Sequence, residues 1–137
     1  YNTDMNTQND LQTGIAGEHL VCADLIIKGY NAYLSDQGLP YDVVADIKGQ
    51  LYKIQVKTTS KYRVVPQRKK YTPAYLFWIK RCGKGGKKVY KEKDYDFMAL
   101  VALDKKIIGY LLFDNVKGSM HLNEEKLSSL TFENLWK

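Results

Sequence analysis

Residues 42–57 read Asp-Val-Val-Ala-Asp-Ile-Lys-Gly-Gln-Leu-Tyr-Lys-Ile-Gln-Val-Lys, and this stretch decides the fold. Both halves are rich in the β-branched and apolar residues that favour strands, and the Lys-Gly pair between them is the expected turn of a β-hairpin. With a two-residue loop there, the register carries Asp42 directly opposite Gln55 and places Lys57 one diagonal step away. Because side chains alternate along a strand, these three polar side chains share one face of the hairpin.

The segment 9–28 predicts a helix that precedes the hairpin. Asn9 or Asp10 can cap its start, and Gly29 directly follows its end, where glycine commonly terminates a helix. Apolar residues recur in this segment at helical spacings, which indicates a face that packs on the sheet. The residues of this apolar stripe are Leu11, Ile15, Cys22 and Leu25.

Glu18 lies in the gap of that stripe, on the face expected to be buried. A carboxylate there is costly unless it is paired or bound to a cation, so its position calls for a partner. The alternative is that Glu18 lies at the edge of the stripe and extends to water. Gly14 and Gly17 each cost about 1 kcal/mol of helix stability relative to Ala, so they predict a close backbone approach at this turn.

The four polar side chains together indicate a site for a divalent metal ion. Mg²⁺ takes hard oxygen ligands, usually one or two carboxylates with water and substrate phosphate. Asp42 is the best ligand candidate, and the amide oxygen of Gln55 and the backbone carbonyl of Val56 can join it. Glu18 would hold a metal-bound water. Lys57 would orient or deprotonate the attacking water, or stabilise the charge that develops on a phosphate.

This order of residues resembles the PD-(D/E)XK nuclease superfamily, in which an acidic helix residue precedes an Asp and then an (Asp/Glu)-X-Lys strand. The matching residues are Glu18, Tyr41, Asp42, Gln55, Val56, Lys57, Thr58 and Thr59. The chain is most similar to the branch with Gln in place of the second acid, which includes group I intron homing endonucleases. Archaeal Holliday junction resolvases share the layout but usually carry Glu at that position.

The resemblance implies a DNA endonuclease that hydrolyses phosphodiester bonds with Mg²⁺ or Mn²⁺ as its cofactor. It also implies an α/β or α+β fold, a restriction-endonuclease-like mixed β-sheet core flanked by helices, in a single domain over residues 1–137. The residues expected to be catalytic are Glu18, Asp42, Gln55 and Lys57. Those expected at the metal are Asp42, Gln55, Val56 and Glu18.

The rest of the chain fits such a core. The remaining predicted elements are strands over 75–81, 95–103 and 107–113, a short helix over 123–130 and a final turn over 131–137. Phe132, Leu135 and Trp136 share one face of that turn, which could cover the core or form a subunit interface. Because a small nuclease must bring two sites to two strands, a homodimer or homotetramer is expected.

The charge distribution independently favours a nucleic-acid partner. The net charge is +6, but residues 57–93 hold thirteen Lys and Arg against the single acid Glu92, a net charge of +12. Phosphate contacts from such a block supply the salt-dependent part of DNA affinity. The expected DNA contacts, on double-stranded or branched DNA, are Lys61, Arg63, Arg68, Lys69, Lys70, Lys80, Arg81, Lys84, Lys87 and Lys88.

Aromatic residues are interleaved with these basic residues, namely Tyr62, Tyr71, Tyr75, Trp78 and Tyr90. Some could stack on bases or wedge a distorted duplex, but the run 75–79 is typical of a buried strand, so Phe77 and Ile79 are expected in the core. The segment 64–73 predicts an exposed basic loop, and the segment 81–88 predicts a flexible basic hairpin tip that contacts the DNA backbone. The second of them lacks the glycine spacing and the hydroxyl of a nucleotide-binding phosphate loop.

Composition excludes several other classes of protein. At 137 residues the chain has room for one modest core. No apolar run approaches the roughly 18 residues of a membrane span and no signal peptide is visible, so an intracellular, cytoplasmic protein of a bacterium, archaeon or phage is expected. Cys22 and Cys82 are expected as unlinked thiols. With His19 and His121 as the only histidines, a zinc site is not expected.

Three alternatives remain open at the level of the sequence. Homing-type cleavage and cleavage of branched DNA by a Holliday junction resolvase both fit, and the sequence does not decide between them. A non-catalytic nucleic-acid-binding protein would keep the basic block and have no metal. An inactive nuclease relative would retain only a structural or assembly role.

Overall fold

A computed structural model of the chain contains a five-stranded mixed sheet that is covered on both faces. It describes residues 9–62, 74–79, 81–83, 86–88, 94–116 and 118–136. The elements in chain order are α1 (Asp10–Ile27), β1 (Asn31–Leu34), β2 (Val43–Ile47), β3 (Gln50–Thr59), β4 (Tyr75–Trp78), β5 (Arg81–Gly83), β6 (Gly86–Lys88), β7 (Phe97–Ala102), β8 (Ile107–Leu112), β9 (Ser119–Leu122) and α2 (Glu124–Ser129). Two short 3-10 helices cover Phe113–Asn115 and Phe132–Trp136.

Helix α1 begins and ends at local signals in its sequence. The Asn9 side chain accepts a hydrogen bond from the Gln12 backbone N–H at 2.8 Å, and the Gln12 side chain accepts one in return from the Asn9 N–H at 3.3 Å. This reciprocal capping box satisfies two donors that the helix itself leaves unpaired. Gly29 follows the helix with φ +98°, a left-handed conformation that favours glycine. The predicted helix and both of its end signals are confirmed.

The β2–β3 hairpin has the register that the sequence predicts. Ile47 pairs with Gln50 across the turn, and the pairing runs back to Val43 with Ile54. Both turn residues, Lys48 and Gly49, have positive φ, which matches the right-handed twist of the two strands. The Asp46 side chain accepts a hydrogen bond from the Gly49 N–H at 3.1 Å. This bond supports a Lys-Gly pair in a turn that usually has Asn-Gly.

The sheet is built around a parallel pair of strands from distant parts of the chain. Its order is β1-β2-β3-β7-β8, and only β3 and β7 run parallel among these neighbours. A separate antiparallel pair, β4–β9, lies over the sheet, and β5 pairs with β6. The basic block therefore begins in the last residues of β3, and the rest of it lies in the connection from β3 to β7.

Each face of the sheet packs against its own hydrophobic cluster. On the first face, Val21 and Leu25 of α1 and Phe132 of the second 3-10 helix pack on Ile54 and Val56. We call this the helix face. On the opposite face, residues of β4, β9 and α2 pack on Met98, Leu100 and Ala102 of β7. Because the side chains of β3 alternate, Gln55 and Lys57 belong to this opposite face.

The predicted strands and the short helix are present with small shifts at their ends. The strand expected over 75–81 ends at Trp78, since its partner β9 begins at Ser119, which pairs with Trp78. The short helix is capped by the Asn123 side chain, which accepts from the Lys126 N–H at 2.7 Å. The four-residue strands β1 and β9 were not predicted. The final turn is a 3-10 helix in which Phe132 and Leu135 are buried in the core.

Two expectations about α1 are wrong. Leu11 and Ile15 are 71% and 44% exposed, and the buried positions are Gly17, Val21, Cys22 and Leu25. A Cβ at Gly14 would have no atom of the described residues within 4 Å, so the close approach expected there is not found among them. Gly17 lies against Thr58, near the carboxyl end of β3. Leu11 and Ile15, on the turns of α1 before Gly17, are therefore not covered by the described part of the sheet.

Candidate active site

Asp42 is held at the edge of the sheet by the backbone of β3. Its Oδ2 atom accepts a hydrogen bond from the Val56 N–H at 2.8 Å, and its own N–H donates to the Ile54 carbonyl at 2.8 Å. The residue directly precedes β2, so the hairpin register brings it beside Gln55. A carboxylate fixed by a backbone N–H is a preorganised acceptor, because its orientation does not depend on another side chain.

Gln55 is the one polar or charged side chain that is buried among the described residues, at 5% exposure. Its Nε2 donates to the Val56 carbonyl across 3.4 Å, a long and weak hydrogen bond. This orientation turns Oε1, the atom that can bind a cation, away from that carbonyl. Asp42, Gln55 and the Val56 backbone therefore form one hydrogen-bonded cluster whose oxygen atoms could bind a metal ion.

Glu18 joins this cluster electrostatically from α1. Burial, and secondly the negative charge of Asp42, raise the pKa of the Glu18 carboxyl from 4.5 to about 7. Burial and then the charge of Glu18 raise the pKa of the Cys22 thiol one turn further along the helix. A carboxyl whose ionisation is opposed by a neighbouring carboxylate is a common feature of sites that bind cations. Glu18 is thus half-buried beside Asp42 rather than extended to water at the edge of the helix.

The contact between α1 and β3 sets the position of Glu18. A Cβ atom at Gly17 would lie 1.8 Å from Thr58 Oγ1 and 2.9 Å from its Cβ, so only glycine fits there. Thr58 Oγ1 is buried and has no hydrogen-bond partner among the described residues. Gly17 and Thr58 are the chain neighbours of Glu18 and Lys57, so this contact fixes the spacing between the helix acid and the strand lysine. The glycine at position 17 indicated a close approach in the sequence, whereas nothing in the sequence indicated that Thr58 is the residue it contacts.

Lys57 is half-buried on the face of β3 that also carries Gln55. It lines a pocket of about 290 Å³ between the end of β3 and strand β4. The other lining residues are Thr58, Thr59, Leu76, Phe77 and Trp78. Sequence reasoning did not foresee a pocket beside Lys57, because β3 and β4 are joined by a long segment and their packing is not a local property.

The donor set fits a hard divalent cation. A carboxylate, an amide oxygen and a backbone carbonyl, with a second carboxylate nearby, are the oxygen ligands that Mg²⁺ and Mn²⁺ accept. Within the described parts of the chain, no three His, Cys, Asp or Glu side chains converge to hold a metal. A metal at this site would therefore depend on the Gln55 and Val56 oxygens as well as on Asp42.

Most of the expected DNA contacts lie outside the described residues. Lys61 is described and exposed. For Arg81, Lys87 and Lys88 only the backbone is described, in β5 and β6. The expected contacts outside the described residues are Arg63, Arg68, Lys69, Lys70, Lys80 and Lys84.

Two further expectations concern the thiols and the membrane. Cys22 is a buried free thiol, whereas for Cys82 the structure describes only the backbone. Among the described helices, none has the length and apolar character needed to cross a bilayer.

Comparison with known proteins bears on the fold and on the family of the chain. The solved structure of a bacterial homing endonuclease, I-Ssp6803I, is similar, with a TM-score of 0.68 and 20% sequence identity over 85% of this chain and 80% of that chain. This likeness confirms the predicted restriction-endonuclease-like fold. No curated protein matches the sequence. A family model described as PD-(D/E)XK endonuclease matches residues 5–129. Since that match spans most of the chain, the chain belongs to the PD-(D/E)XK endonuclease family.

Proposed function

We propose that this protein is a Mg²⁺-dependent endonuclease that hydrolyses phosphodiester bonds in DNA, with Mn²⁺ as a substitute metal. The observation that carries the proposal is the Asp42 carboxylate, fixed by the Val56 N–H beside the buried amide of Gln55. Burying an amide beside a fixed carboxylate costs free energy, and a cation bound by both groups would offset that cost.

In this proposal Asp42 and Gln55 hold the metal, the Val56 carbonyl joins them, and Glu18 supports the site through a bound water. When bound, the metal supplies a water of lowered pKa and polarises the scissile phosphate. Asp42 keeps its orientation through the Val56 N–H, and Gln55 contributes an oxygen without adding negative charge. A site with fewer negative charges repels a phosphate less.

Lys57 acts on the substrate side of the site. Its ammonium group can donate to a phosphate oxygen on which negative charge develops, or it can orient the attacking water. Its half-buried position beside the pocket brings it to the DNA while part of its stem packs against the sheet. The basic block of residues 57–93 would hold the rest of the strand through phosphate contacts.

Homing-type cleavage of a specific duplex site is the favoured substrate class, because the Gln-containing motif resembles that branch. Cleavage of branched DNA by a resolvase is the alternative. We also propose that a homodimer or homotetramer brings two sites to the two strands, with each copy contributing one nuclease domain.

The test uses three substrates in parallel, with Mg²⁺ or with EDTA. They are supercoiled plasmid, a four-way junction, and a pool of random-sequence duplexes from which cut molecules are selected. Lys57→Ala should abolish cutting that the wild-type protein performs with Mg²⁺. Lys53→Ala is the matched control, because it removes the same ammonium group from the same face of β3, four residues earlier.

The outcomes separate the hypotheses. Cutting that needs Mg²⁺ and Lys57 but not Lys53 supports the proposal, and preferential cutting of the junction points to a resolvase. Cutting that persists in EDTA would contradict the proposed dependence of cleavage on a metal ion. Salt-sensitive binding of all three substrates, with no cut molecules recovered from the pool, would instead support a non-catalytic binding protein or an inactive relative.

A further inference from the structure

The pocket beside Lys57 has one wall that the proposed chemistry does not use. That wall is β4, where Tyr75, Leu76 and Phe77 are buried but Trp78 is 65% exposed. The opposite wall consists of residues 57–59 at the end of β3. Trp78 and the proposed catalytic Lys57 thus line the same pocket, and the exposure of Trp78 leaves much of its side chain outside the core.

Trp78 is the aromatic residue of the basic block that remains available for a ligand in the described chain. Tyr62 and Tyr75 stack on each other with ring centroids 4.2 Å apart. Their hydroxyl groups donate to Glu124 at 2.9 Å and to Asp104 at 2.8 Å, respectively. Both tyrosines therefore serve the packing of β4 on the sheet, and Tyr71 and Tyr90 lie outside the described residues.

Charge and size together identify the ligand. The pocket is lined by Lys57 on one wall and by Trp78 on the other, and β4 lies within the block of net charge +12. A ligand that suits both walls combines an anionic group with an aromatic or apolar surface. The volume of about 290 Å³ is at the lower end of small-ligand clefts, so it admits a single nucleotide rather than a stretch of duplex.

We propose that this pocket binds one nucleotide of the DNA strand next to the scissile phosphate, with its base stacked on Trp78 and its phosphate at Lys57. The inference rests on the proposed function, which places the cleaved DNA strand at Lys57. Every base has a π-face, so stacking on Trp78 would contribute affinity and would position the phosphate without selecting the sequence. Trp78 is thus a positioning residue for the phosphate that Lys57 contacts.

The two tryptophans of the chain allow a direct test of binding without cleavage. Trp136→Phe leaves Trp78 as the only tryptophan. In EDTA, a mixed-sequence single strand and a mixed-sequence duplex should quench its fluorescence and protect it from acrylamide. The matched control is Trp78→Phe, which leaves Trp136 on the helix face, packed against Tyr52 and Phe97. The fluorescence of that variant should not respond to DNA.

A second measurement follows binding by fluorescence anisotropy of labelled single strands. Trp78→Ala should weaken binding roughly tenfold, Trp78→Phe should restore most of the loss, and Trp136→Phe should bind as the wild type does. Because Trp78 is largely exposed, its replacement removes little buried surface and the variants should fold. Equal losses in Trp78→Phe and Trp78→Ala would contradict stacking.

Other results would contradict the proposal that the pocket binds a nucleotide, and they separate this proposal from that of endonuclease activity. DNA binding seen by anisotropy with an unchanged Trp78 signal overturns the pocket, and leaves Mg²⁺-dependent cutting to be decided by the plasmid, junction and duplex-pool assay. Trp78 that is already protected without DNA, increasingly so at higher protein concentration, would make this surface a contact between subunits. Neither binding nor cutting on any substrate would overturn both proposals.

Discussion

Strands β3 and β7 lie side by side in parallel, yet one of them carries polar groups where the other is apolar. Their register pairs Gln55 with Met98 and Lys57 with Leu100. All six residues of β7 are buried, and Met98 and Leu100 have no exposed surface. At the same level of the same face, β3 places an amide and an ammonium group. Packing therefore explains β7 completely, whereas β3 needs a second explanation.

In terms of the proposed function, the difference marks the place where stability is given up for chemistry. A central strand of a sheet covered on both faces is ordinarily a continuous apolar run, as β7 is. Burying the amide of Gln55 costs free energy that its weak hydrogen bond to Val56 offsets only in part. Substitutions on the two strands should therefore separate function from stability.

The largest expected effect is loss of cleavage on β3. Lys57→Met keeps the length of the side chain and removes its charge, so we expect Mg²⁺-dependent cleavage to fall by roughly 10² to 10⁴-fold. The melting temperature should stay the same or rise, because an apolar side chain suits this neighbourhood of β7. Single-turnover cleavage and calorimetric melting measure the two quantities.

Lys53→Met is the matched control for this substitution, since Lys53 is exposed on the same strand. It should leave cleavage within a few-fold of the wild type. If Lys57→Met cut DNA normally, Lys57 would not take part in catalysis, and catalysis would not explain the polar side chains of β3.

The second effect is loss of stability on β7. Leu100→Ala removes a fully buried side chain directly beside Lys57, so we expect the free energy of unfolding to fall by about 2–5 kcal/mol. Cleavage per folded molecule should change little. Urea unfolding gives the first quantity, and single-turnover cleavage far below the melting temperature gives the second. A loss of cleavage as large as that of Lys57→Met in folded protein would contradict the division between the strands.

The sequence predicted those parts of the structure that depend on neighbouring residues. The turn at Lys48 and Gly49 fixes the hairpin register, and that register, together with the hydrogen bond from the Val56 N–H, holds Asp42 beside the Gln55–Val56 stretch of β3. The cap at Asn9 is likewise local. For this reason the helix and the hairpin could be predicted from the sequence, and with them the closeness of Asp42 to the Gln55–Val56 stretch of β3.

The remaining features depend on packing between distant segments. The parallel pairing of β3 with β7 joins Gln55 to Met98 across the whole basic block, and no pattern in either strand specifies it. The exposure of Leu11 and Ile15 depends on where α1 crosses the sheet. Helical spacing showed which residues share a face, but not how much of that face the sheet covers.

A third prediction tests that crossing point, which links Glu18 to β3. In Gly17→Ala the new methyl group would overlap Thr58 Oγ1, so the helix or the strand must move. We expect a loss of about 1–3 kcal/mol in the free energy of unfolding, together with reduced cleavage as Glu18 shifts from Asp42. Adding Thr58→Ala to this variant should recover part of both, whereas Thr58→Ser keeps the overlapping oxygen and should not.

Gly14→Ala provides the control within the same helix. Nothing lies within 4 Å of a Cβ at that position, so the substitution should be neutral or stabilise the helix by up to about 1 kcal/mol. Equal destabilisation by Gly14→Ala and Gly17→Ala would show that the contact with Thr58 does not set the position of α1.

The smallest effect is the pH dependence of stability that Glu18 contributes without metal. Its pKa is about 7 in the folded protein and 4.5 as the ordinary value. Between these values the unfolded chain loses the proton while the folded protein keeps it, so the free energy of unfolding falls as pH rises from about 4.5 to 7. Below this window the carboxyl is neutral in both states, and above it the destabilisation is complete.

Glu18→Gln should therefore remove part of the decrease in stability between pH 5 and pH 8, measured by urea unfolding in EDTA. Glu133→Gln, at an exposed carboxyl, should leave the decrease unchanged. Added Mg²⁺ should stabilise the wild type more at pH 8 than at pH 5, because a nearby cation favours the ionised carboxylate. That gain should be smaller in Glu18→Gln. An equal gain in both proteins would mean that the polar face of β3 binds its cation without help from the helix.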